Sequence, residues 1–335
     1  MRSLTRLVAI LAAFAFPLGD SIRILQTNDD GWVEGNIRVL NDALIAMGHQ
    51  VVLSGPAENK SGAGSRQEDP KPRKKPCMYD SCPANSGATG SNATRPDLNW
   101  VNSYPVTSAR YGVETFGPKV WNGEKPELVV AGPNVGPNYW LVNLISGTVG
   151  AAAYAAHEAG IPAIAFSGAN TKSYSWNTPA SLESAVFADI AANITQTIID
   201  AGKPYLPKGV YLNVNMPRVA AGGRCSKASD VKYILSRITM GLLSDPDVDW
   251  CVFGVDKCWP CERQDVDRCD VAAGCVGQVE ASAELLLKRV RVRVPWREVE
   301  PSEDARGCAR MREDARGCAR GYWRREFVDI DIVGK

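Results

Sequence analysis

The stretch that decides the fold is IRILQTNDDGWVEGNIRVLNDALIAMGHQVVLS, residues 22–54. It opens with the apolar run IRILQ, continues with Ile37, Leu40, Leu44 and Met47 at helical spacing, and closes with QVVLS after Gly48. Two short strands separated by an amphipathic helix form a β-α-β unit. This unit predicts a parallel sheet with a right-handed crossover.

The same alternation returns further along the chain. ELVVAG (127–132) and IPAIAF (161–166) predict two more strands, and SGTVGAAAYAAHEAG (146–160) predicts an Ala-rich helix between them. Strands that alternate with helices indicate an α/β protein with a Rossmann-like, doubly wound, mostly parallel sheet. In such sheets, ligands bind beyond the carboxyl ends of the strands.

The composition is that of a globular protein and excludes several kinds of site. The chain has 335 residues, 45% of them hydrophobic, and a net charge of +1. Because the charge is near neutral, we expect neither a nucleic-acid polymer nor a membrane surface as a partner. Only two histidines occur, His49 and His157, which argues against a His-based triad or a multi-His metal site.

The first residues predict an export signal. Arg2 and Arg6 precede the apolar run LVAILAAFAFPL (7–18), which is too short to span a bilayer. We therefore expect a signal peptide over residues 1–20 and a secreted protein; an uncleaved anchor or a buried N-terminal helix is the alternative. Ten cysteines agree with an oxidising compartment.

Two modifications are expected in a secreted protein. Cys77 and Cys82 close the short segment CMYDSC, for which a local disulfide is the leading interpretation. Asn92 and Asn193 each begin a glycosylation sequon.

Two adjacent carboxylates, Asp29 and Asp30, follow the first predicted strand. An Asp-Gly pair is common in turns, and a turn is the simpler interpretation. A turn needs only one aspartate, however, and two neighbouring carboxylates repel each other. A divalent cation would relieve that repulsion. From these residues alone, the turn and the cation site are both open.

Further oxygen donors follow the other strands. Ser61 lies in GPAENKSGAGS (55–65), Asn134 and Asn138 lie in GPNVGPN (132–138), and Ser146 and Thr148 open the Ala-rich helix. Each has a simpler interpretation as a flexible loop, a turn or a helix N-cap. The helix terminus is also suited to binding an anion through its free N–H groups. Oxygen ligands favour a hard cation such as Mg²⁺ or Mn²⁺.

In this order, TNDDGW, AENKSGAGS, ELVVAGPNVGPN and SGTVGAA resemble the survival protein SurE family of metal-dependent phosphatases and nucleotidases. Softer similarity continues through PYLPKGVYLNVNMP (204–217). The stretches NSYPVTSARYG and PCMYDSCPA resemble its secreted fungal-type branch, described as acid phosphatases. The resemblance implies hydrolysis of small phosphate monoesters, either nucleoside monophosphates or broad acid-phosphatase substrates, with Mg²⁺ or Mn²⁺.

The resemblance also implies the site residues. The metal-ligand positions are Asp29, Asp30, Ser61 and Asn134. Either aspartate would handle the proton or attack phosphorus. The phosphate positions are Asn138, Ser146, Gly147 and Thr148. Asn59 begins a formal sequon, but a glycan there would block the site, so we expect Asn59 to be bare.

Two regions depart from the family pattern. YWLVNLI (139–145) is bulkier and more apolar than the family's segment, so a non-catalytic phosphate- or nucleotide-binding protein is an alternative, with Tyr139 and Trp140 closing the pocket. We expect the family domain over residues 21–245, followed by an irregular, Cys-rich and poorly ordered extension over 246–335. EDARGCAR occurs there twice. A cysteine-rich interaction module is a further alternative. In relatives a C-terminal segment helps in oligomer contacts, and this chain's C-terminal region fits the family poorly, so the resemblance leaves a homo-oligomer open.

Overall fold

The computed structural model describes residues 21–139, 141–169, 172–223, 225–237, 249–251, 258–260 and 276–281. The predicted signal peptide, most of the Cys-rich region and both EDARGCAR segments lie outside the described residues. Within the described part, no helix is long and apolar enough to cross a membrane.

The predicted β-α-β unit is present. Strand β1 (Arg23–Thr27) leads into helix α1 (Gly35–Ala46) and then into strand β2 (Gln50–Pro56). The two strands pair in parallel, with Arg23 opposite Gln50. The apolar residues at helical spacing point into the core, since Ile37, Leu40 and Leu44 are fully buried.

The remaining elements continue the alternation of strands and helices. The further strands are β3 (Thr89–Ser91), β4 (Leu98–Val101), β5 (Leu128–Val135), β6 (Ala163–Gly168), β7 (Tyr211–Met216), β8 (Lys232–Arg237), β9 (Asp249–Cys251), β10 (Cys258–Pro260) and β11 (Val276–Ala281). The further α-helices are α2 (Pro105–Tyr111), α3 (Gly117–Val120), α4 (Val142–Ile145), α5 (Gly147–His157) and α6 (Leu182–Asp200). A π-helical turn, Gly112–Phe116, joins α2 to α3, and two 3₁₀ turns are Met78–Asp80 and Ala228–Asp230.

The described strands form one nine-stranded sheet in the order β3-β4-β2-β1-β5-β6-β7-β11-β8, with β9 and β10 as a separate antiparallel pair. The six strands from β4 to β7 are parallel, and β3 and β11 are antiparallel to their neighbours β4 and β7. The predicted mostly parallel α/β sheet is therefore confirmed. Strand β11 lies beyond residue 245, where we expected the domain to end.

Helices cover both faces of the sheet. On one face, α1 and α6 pack against a cluster that includes the fully buried Ile164 and Phe166. On the other face, α5 contributes Ala152 and Ala155, which are fully buried against β5 and β6. The small side chains of this Ala-rich helix let its backbone lie close to the sheet, which brings its first residues near the carboxyl end of β1.

The expected disulfide joins Cys77 and Cys82, whose Cα atoms lie 4.9 Å apart. Both half-cystines are buried in a cluster with Trp32 and Trp100, on the side of the sheet next to the β1–α1 loop. Met78, between the two cysteines, donates its backbone N–H to the carbonyl of Ala57 at 3.0 Å. The disulfide therefore closes a short loop, and Met78 ties that loop to the segment after β2.

Replacing both Cys77 and Cys82 with serine should lower the free energy of unfolding by about 2 kcal/mol, because the cross-link restricts a short loop in the unfolded chain. Urea titration of the parent and the double variant measures the difference. Equal midpoints would show that the loop is held by its packing alone. Full reduction of the parent by dithiothreitol should cause at least this loss, because Cys225 is disulfide-bonded as well.

Candidate metal and phosphate site

The site begins where β1 ends, at the centre of the sheet. Asp29 and Asp30 follow β1 after Asn28, and each is only 2% exposed. Strand β1 lies between β2 and β5 in the sheet. The chain then turns at Gly31, which has a φ of +112°, a conformation that side chains other than glycine rarely adopt. The two carboxylates are therefore buried together at the carboxyl edge of the parallel strands, the position at which such sheets bind ligands.

Asp29 is tied to the start of α5. The backbone N–H of Gly147 donates to Asp29 Oδ2 at 3.1 Å, and the hydroxyl of Thr148 donates to Asp29 Oδ1. A Cβ atom at position 147 would lie 2.8 Å from Asp29 Cβ and 2.7 Å from Pro105 Cγ, so only glycine fits there. The donors predicted to bind phosphate thus hold an aspartate carboxylate in this structure.

Asp30 is tied to two other segments. Its Oδ2 accepts the backbone N–H of Val135, at the end of β5, at 2.8 Å. Its Oδ1 accepts the amide of Asn59 at 3.1 Å and the hydroxyl of Ser61 at 3.3 Å. Ser61 is exposed, so the Oδ1 side of Asp30 lies toward the surface.

Asn134 reaches the same pair from β5. Its Oδ1 lies 3.4 Å from the hydroxyl of Thr148, which itself contacts Asp29, and its Nδ2 donates to the carbonyl of Gly136. The four predicted metal-ligand positions therefore lie in one hydrogen-bonded group: Asp29, Asp30, Ser61 and Asn134.

Two of the predicted phosphate positions have structural partners of their own. Ser146 is the N-cap of α5, and its hydroxyl accepts the N–H of Val149 at 3.1 Å. Asn138 is 3% exposed and donates its side-chain amide to Ser167 at 2.8 Å. Its backbone N–H donates to the side chain of Asn215, also at 2.8 Å. Asn138 thus links the ends of β6 and β7 by hydrogen bonds. Among the described residues, no hydrogen bond joins Asn138 to Asp29 or Asp30.

Burial gives the carboxyl groups unusual acidities. Burial raises the pKa of Asp29, although hydrogen bonds from Thr148 and Gly147 oppose the shift. Burial and the neighbouring Asp29 charge raise the pKa of Asp30 to about 8. Burial also raises the pKa of Glu34 to about 7. Within the described chain, none of the three carboxylates forms a salt bridge with Lys, Arg or His.

These observations fit a divalent cation. Two buried carboxylates, Asp29 and Asp30, lie side by side without a basic partner in the part of the chain that the structure describes. A hydroxyl and an amide oxygen lie next to them. In the described residues, no cluster of three or more His, Cys, Asp or Glu side chains occurs. The available donors are therefore two carboxylates and neutral oxygens, a set that suits Mg²⁺ or Mn²⁺ better than zinc.

Sequence reasoning missed two members of this group. Asn59, considered only as a formal sequon, donates directly to Asp30. Glu34 is fully buried and caps α1, because its Oε2 accepts the N–H groups of Asn36 at 2.8 Å and Ile37 at 3.3 Å. The sequence did indicate Asn59 indirectly, because it lies two residues before the predicted ligand Ser61. Nothing in the sequence indicated the role of Glu34, since glutamate is not a preferred N-cap residue.

The atypical segment before α5 turns most of its apolar side chains outward. In α4, Leu144 is 72% exposed and Ile145 is 56% exposed, whereas Asn143 is buried and accepts a hydrogen bond from Asn213. Trp140, one of the two residues expected to close the pocket in the non-catalytic alternative, lies outside the described residues; Tyr139 is half-buried.

The two predicted glycosylation sequons occupy different settings. Asn92 is partly exposed and forms a turn in which its side-chain oxygen accepts from the backbone and hydroxyl of Thr94. Asn193 is exposed on α6, but the hydroxyl of Thr195 is buried and donates to the carbonyl of Ala191. The Asn92 sequon is therefore the more accessible of the two in the folded protein.

Comparison with known proteins places these features in a family. A family model described as "Survival protein SurE" matches residues 24–237. The chain is 34% identical to an acid phosphatase of Yarrowia lipolytica over 231 residues, which are 66% of this chain and 64% of that protein. It is 35% identical to a 5'-nucleotidase SurE of Desulfatibacillum aliphaticivorans over 199 residues, 59% of this chain and 66% of that protein. The chain thus spans just under two thirds of the length of these relatives.

The fold has a solved counterpart. The SurE protein of Aquifex aeolicus superposes with a TM-score of 0.53 at 22% identity, and the match covers 80% of this chain and 98% of that one. At this identity the likeness supports the fold alone. The family model, by contrast, covers more than half of the chain and includes every predicted site residue. The chain therefore belongs to the survival protein SurE family.

Proposed function

We propose that this protein hydrolyses phosphate monoesters in a reaction that depends on a divalent cation. The observation that carries the proposal is the buried pair Asp29 and Asp30, which has no basic partner among the described residues and lies at the carboxyl edge of the sheet. The names of the relatives, acid phosphatase and 5'-nucleotidase, agree with this chemistry.

The cation would be held by Asp29, Asp30, Ser61 and Asn134. When bound, such a cation polarises a phosphoryl group and offsets its negative charge. Mg²⁺ and Mn²⁺ are the candidates, because every one of these donors is an oxygen.

The protein's own groups set the orientation of the carboxylates. Gly147 and Thr148 hold both oxygens of Asp29, and Val135 holds one oxygen of Asp30, so neither side chain is free to rotate. The Oδ1 atom of Asp30 lies toward the surface beside Ser61, where a substrate can approach. One of the two aspartates acts either as the nucleophile toward phosphorus or as the acceptor of a proton from water.

The proposal also covers the substrate, the cellular location and the oligomeric state. A small phosphorylated molecule, such as a nucleoside monophosphate, is the proposed substrate. We also propose that the protein is secreted, in keeping with the export signal and with the Cys77–Cys82 disulfide. Assembly into a homo-oligomer remains part of the proposal.

The proposal is tested by phosphate release from p-nitrophenyl phosphate. Activity should disappear in EDTA and return when Mg²⁺ or Mn²⁺ is added in excess. Activity that EDTA leaves untouched would overturn the metal requirement. Tight binding of phosphate without turnover under any metal would favour the non-catalytic alternative instead.

A further inference from the structure

A second feature adjoins the candidate site. A cavity of about 440 Å³ opens beside Asn134, one of the proposed metal ligands, and Asn36, at the start of α1. Its walls come from the segment after β6, from the first turns of α6 and from the segment after β7. This volume is in the range of sites for small ligands. The cavity therefore adjoins the proposed metal site at Asn134, and a substrate whose phosphate is bound at that site could place its leaving group in the cavity.

Two basic side chains line this cavity. Lys172 follows β6 and Arg218 follows β7, so both lie at the same edge of the sheet as the aspartate pair. Both side chains are exposed, and among the described residues neither forms a salt bridge. Among the described residues of the lining, Glu183 is the only acidic one. The charges of the wall therefore favour an anionic ligand.

The wall that carries Lys172 is anchored to α1. The backbone carbonyl of Tyr174 accepts the N–H of Gly35 at 2.8 Å, and the N–H of Trp176 donates to the carbonyl of Val33 at 3.1 Å. The Tyr174 hydroxyl also donates to Ser184 in α6. Hydrogen bonds thus hold this segment both to the start of α1 and to α6, so the wall of the cavity has a defined position in the fold.

The rest of the lining suits a molecule with hydroxyl groups and one flat face. Hydroxyls come from Ser173, Thr178 and Ser181. An aromatic ring comes from the half-buried Tyr174, whereas Phe187 belongs to the core and is only 3% exposed. A sugar or nucleoside can hydrogen-bond to such hydroxyls and place a ring against the aromatic residue. A bare alcohol would use little of this surface.

We infer that the cavity binds the leaving-group part of the substrate and that Lys172 and Arg218 recognise a second anionic group on it. The preferred substrate class is thus a phosphate monoester that carries another phosphate or carboxylate, for example a nucleoside bisphosphate. The inference rests on the proposed function, since it assigns the scissile phosphate to the Asp29–Asp30 site.

The test compares adenosine 3',5'-bisphosphate with adenosine 5'-monophosphate. An exposed ion pair changes affinity by roughly two- to fivefold, so two cations should raise kcat/KM for the bisphosphate by about tenfold. Lys172→Gln and Arg218→Gln should each reduce that preference several-fold. Lys208→Gln is the matched control, because Lys208 is exposed and precedes β7, at the opposite edge of the sheet. It should keep the parent's preference.

Binding is measured separately by calorimetry in EDTA with the same two nucleotides. Tighter binding of the bisphosphate in the parent, reduced several-fold in each cavity variant but kept in Lys208→Gln, is the expected result. Equal affinities in the parent, or a preference unchanged in both variants, would overturn the assignment of the cavity. If the bisphosphate preference appears in binding while no phosphate is released, the proposed reaction fails and the anion site stands.

Discussion

Asp29→Asn and Asp30→Asn should each lower metal-supported phosphate release by about a thousandfold or more, because loss of a catalytic cation removes several kcal/mol of transition-state stabilisation. Asparagine keeps the size of the side chain and removes one negative charge. Both residues are buried beside each other without a basic partner in the described chain, and we propose that this charge holds a cation. If the pair formed only a turn, turnover would barely change.

The measurement is phosphate release at saturating Mg²⁺, with a thermal melt of each variant to show that it is folded. Asp189→Asn is the matched control, since Asp189 is exposed on α6 and makes the same change of charge. Asn134→Ala should cause a smaller loss, because a neutral amide contributes less than a carboxylate to holding a hard cation. Turnover near that of the parent in both aspartate variants would contradict the prediction.

Metal-free protein should lose stability between about pH 5 and pH 8. The pKa of Asp30 is raised to about 8, and that of Glu34 to about 7, both mainly by burial. In this interval the folded state therefore binds more protons than the unfolded state, so the free energy of unfolding falls as the pH rises through the folded pKa values. One pKa unit corresponds to about 1.4 kcal/mol, which makes the loss on the order of a few kcal/mol.

Another group acts in the opposite direction. Burial lowers the pKa of His49 below its ordinary value of 6.5, so this group adds stability as the pH rises toward that value. The comparison should therefore be between the parent and Asp30→Asn, with urea titrations at pH 5 and pH 8 in EDTA. The variant should lose less stability over this range.

Adding Mg²⁺ at pH 8 should restore the parent by about 3 kcal/mol at a hundredfold excess over Kd, and should leave the variant unchanged. The prediction fails if the parent's free energy of unfolding is the same at pH 5 and pH 8. It also fails if Mg²⁺ stabilises Asp30→Asn as much as it stabilises the parent.

The central part of the fold was predictable because it is encoded locally. In residues 22–54, the period of the apolar residues changes from strand to helix and back, and Gly48 marks the end of the helix. The sheet then follows from general rules for crossover connections. Strand β11 was not predictable in this way, since Val276–Ala281 is a short segment whose place between β7 and β8 depends on pairing with distant residues.

The candidate site was predictable to a similar extent. Asp29, Asp30 and Asn134 lie at or just after the carboxyl ends of strands. In a parallel sheet these ends share one edge, so the three residues were expected to lie close together. The partners that fix them are less visible in a sequence. The N–H of Val135 lies 105 positions from Asp30, and that of Gly147 lies 118 positions from Asp29. Hydrogen bonds of this kind depend on how the strand ends and α5 pack together.

The roles of single residues were the hardest to predict. Ser146 and Thr148 belong to one short motif, yet Ser146 caps α5 and Thr148 contacts Asp29. Glu34 carries no motif, and only its burial in the folded protein raises its pKa. Local sequence therefore indicates which residues lie at the site. The role of each residue depends on its burial and on the direction in which its side chain points in the folded protein.

The most direct measurement of the central claim is Mn²⁺ binding, followed by electron paramagnetic resonance of the free ion. We expect one bound Mn²⁺ per chain in the parent and in Asp189→Asn, and binding weakened beyond detection in Asp29→Asn and Asp30→Asn. Mg²⁺ should displace the bound Mn²⁺ from the parent. A parent that binds no Mn²⁺, or aspartate variants that bind it as tightly as the parent, would contradict the claim that this buried pair holds the cation.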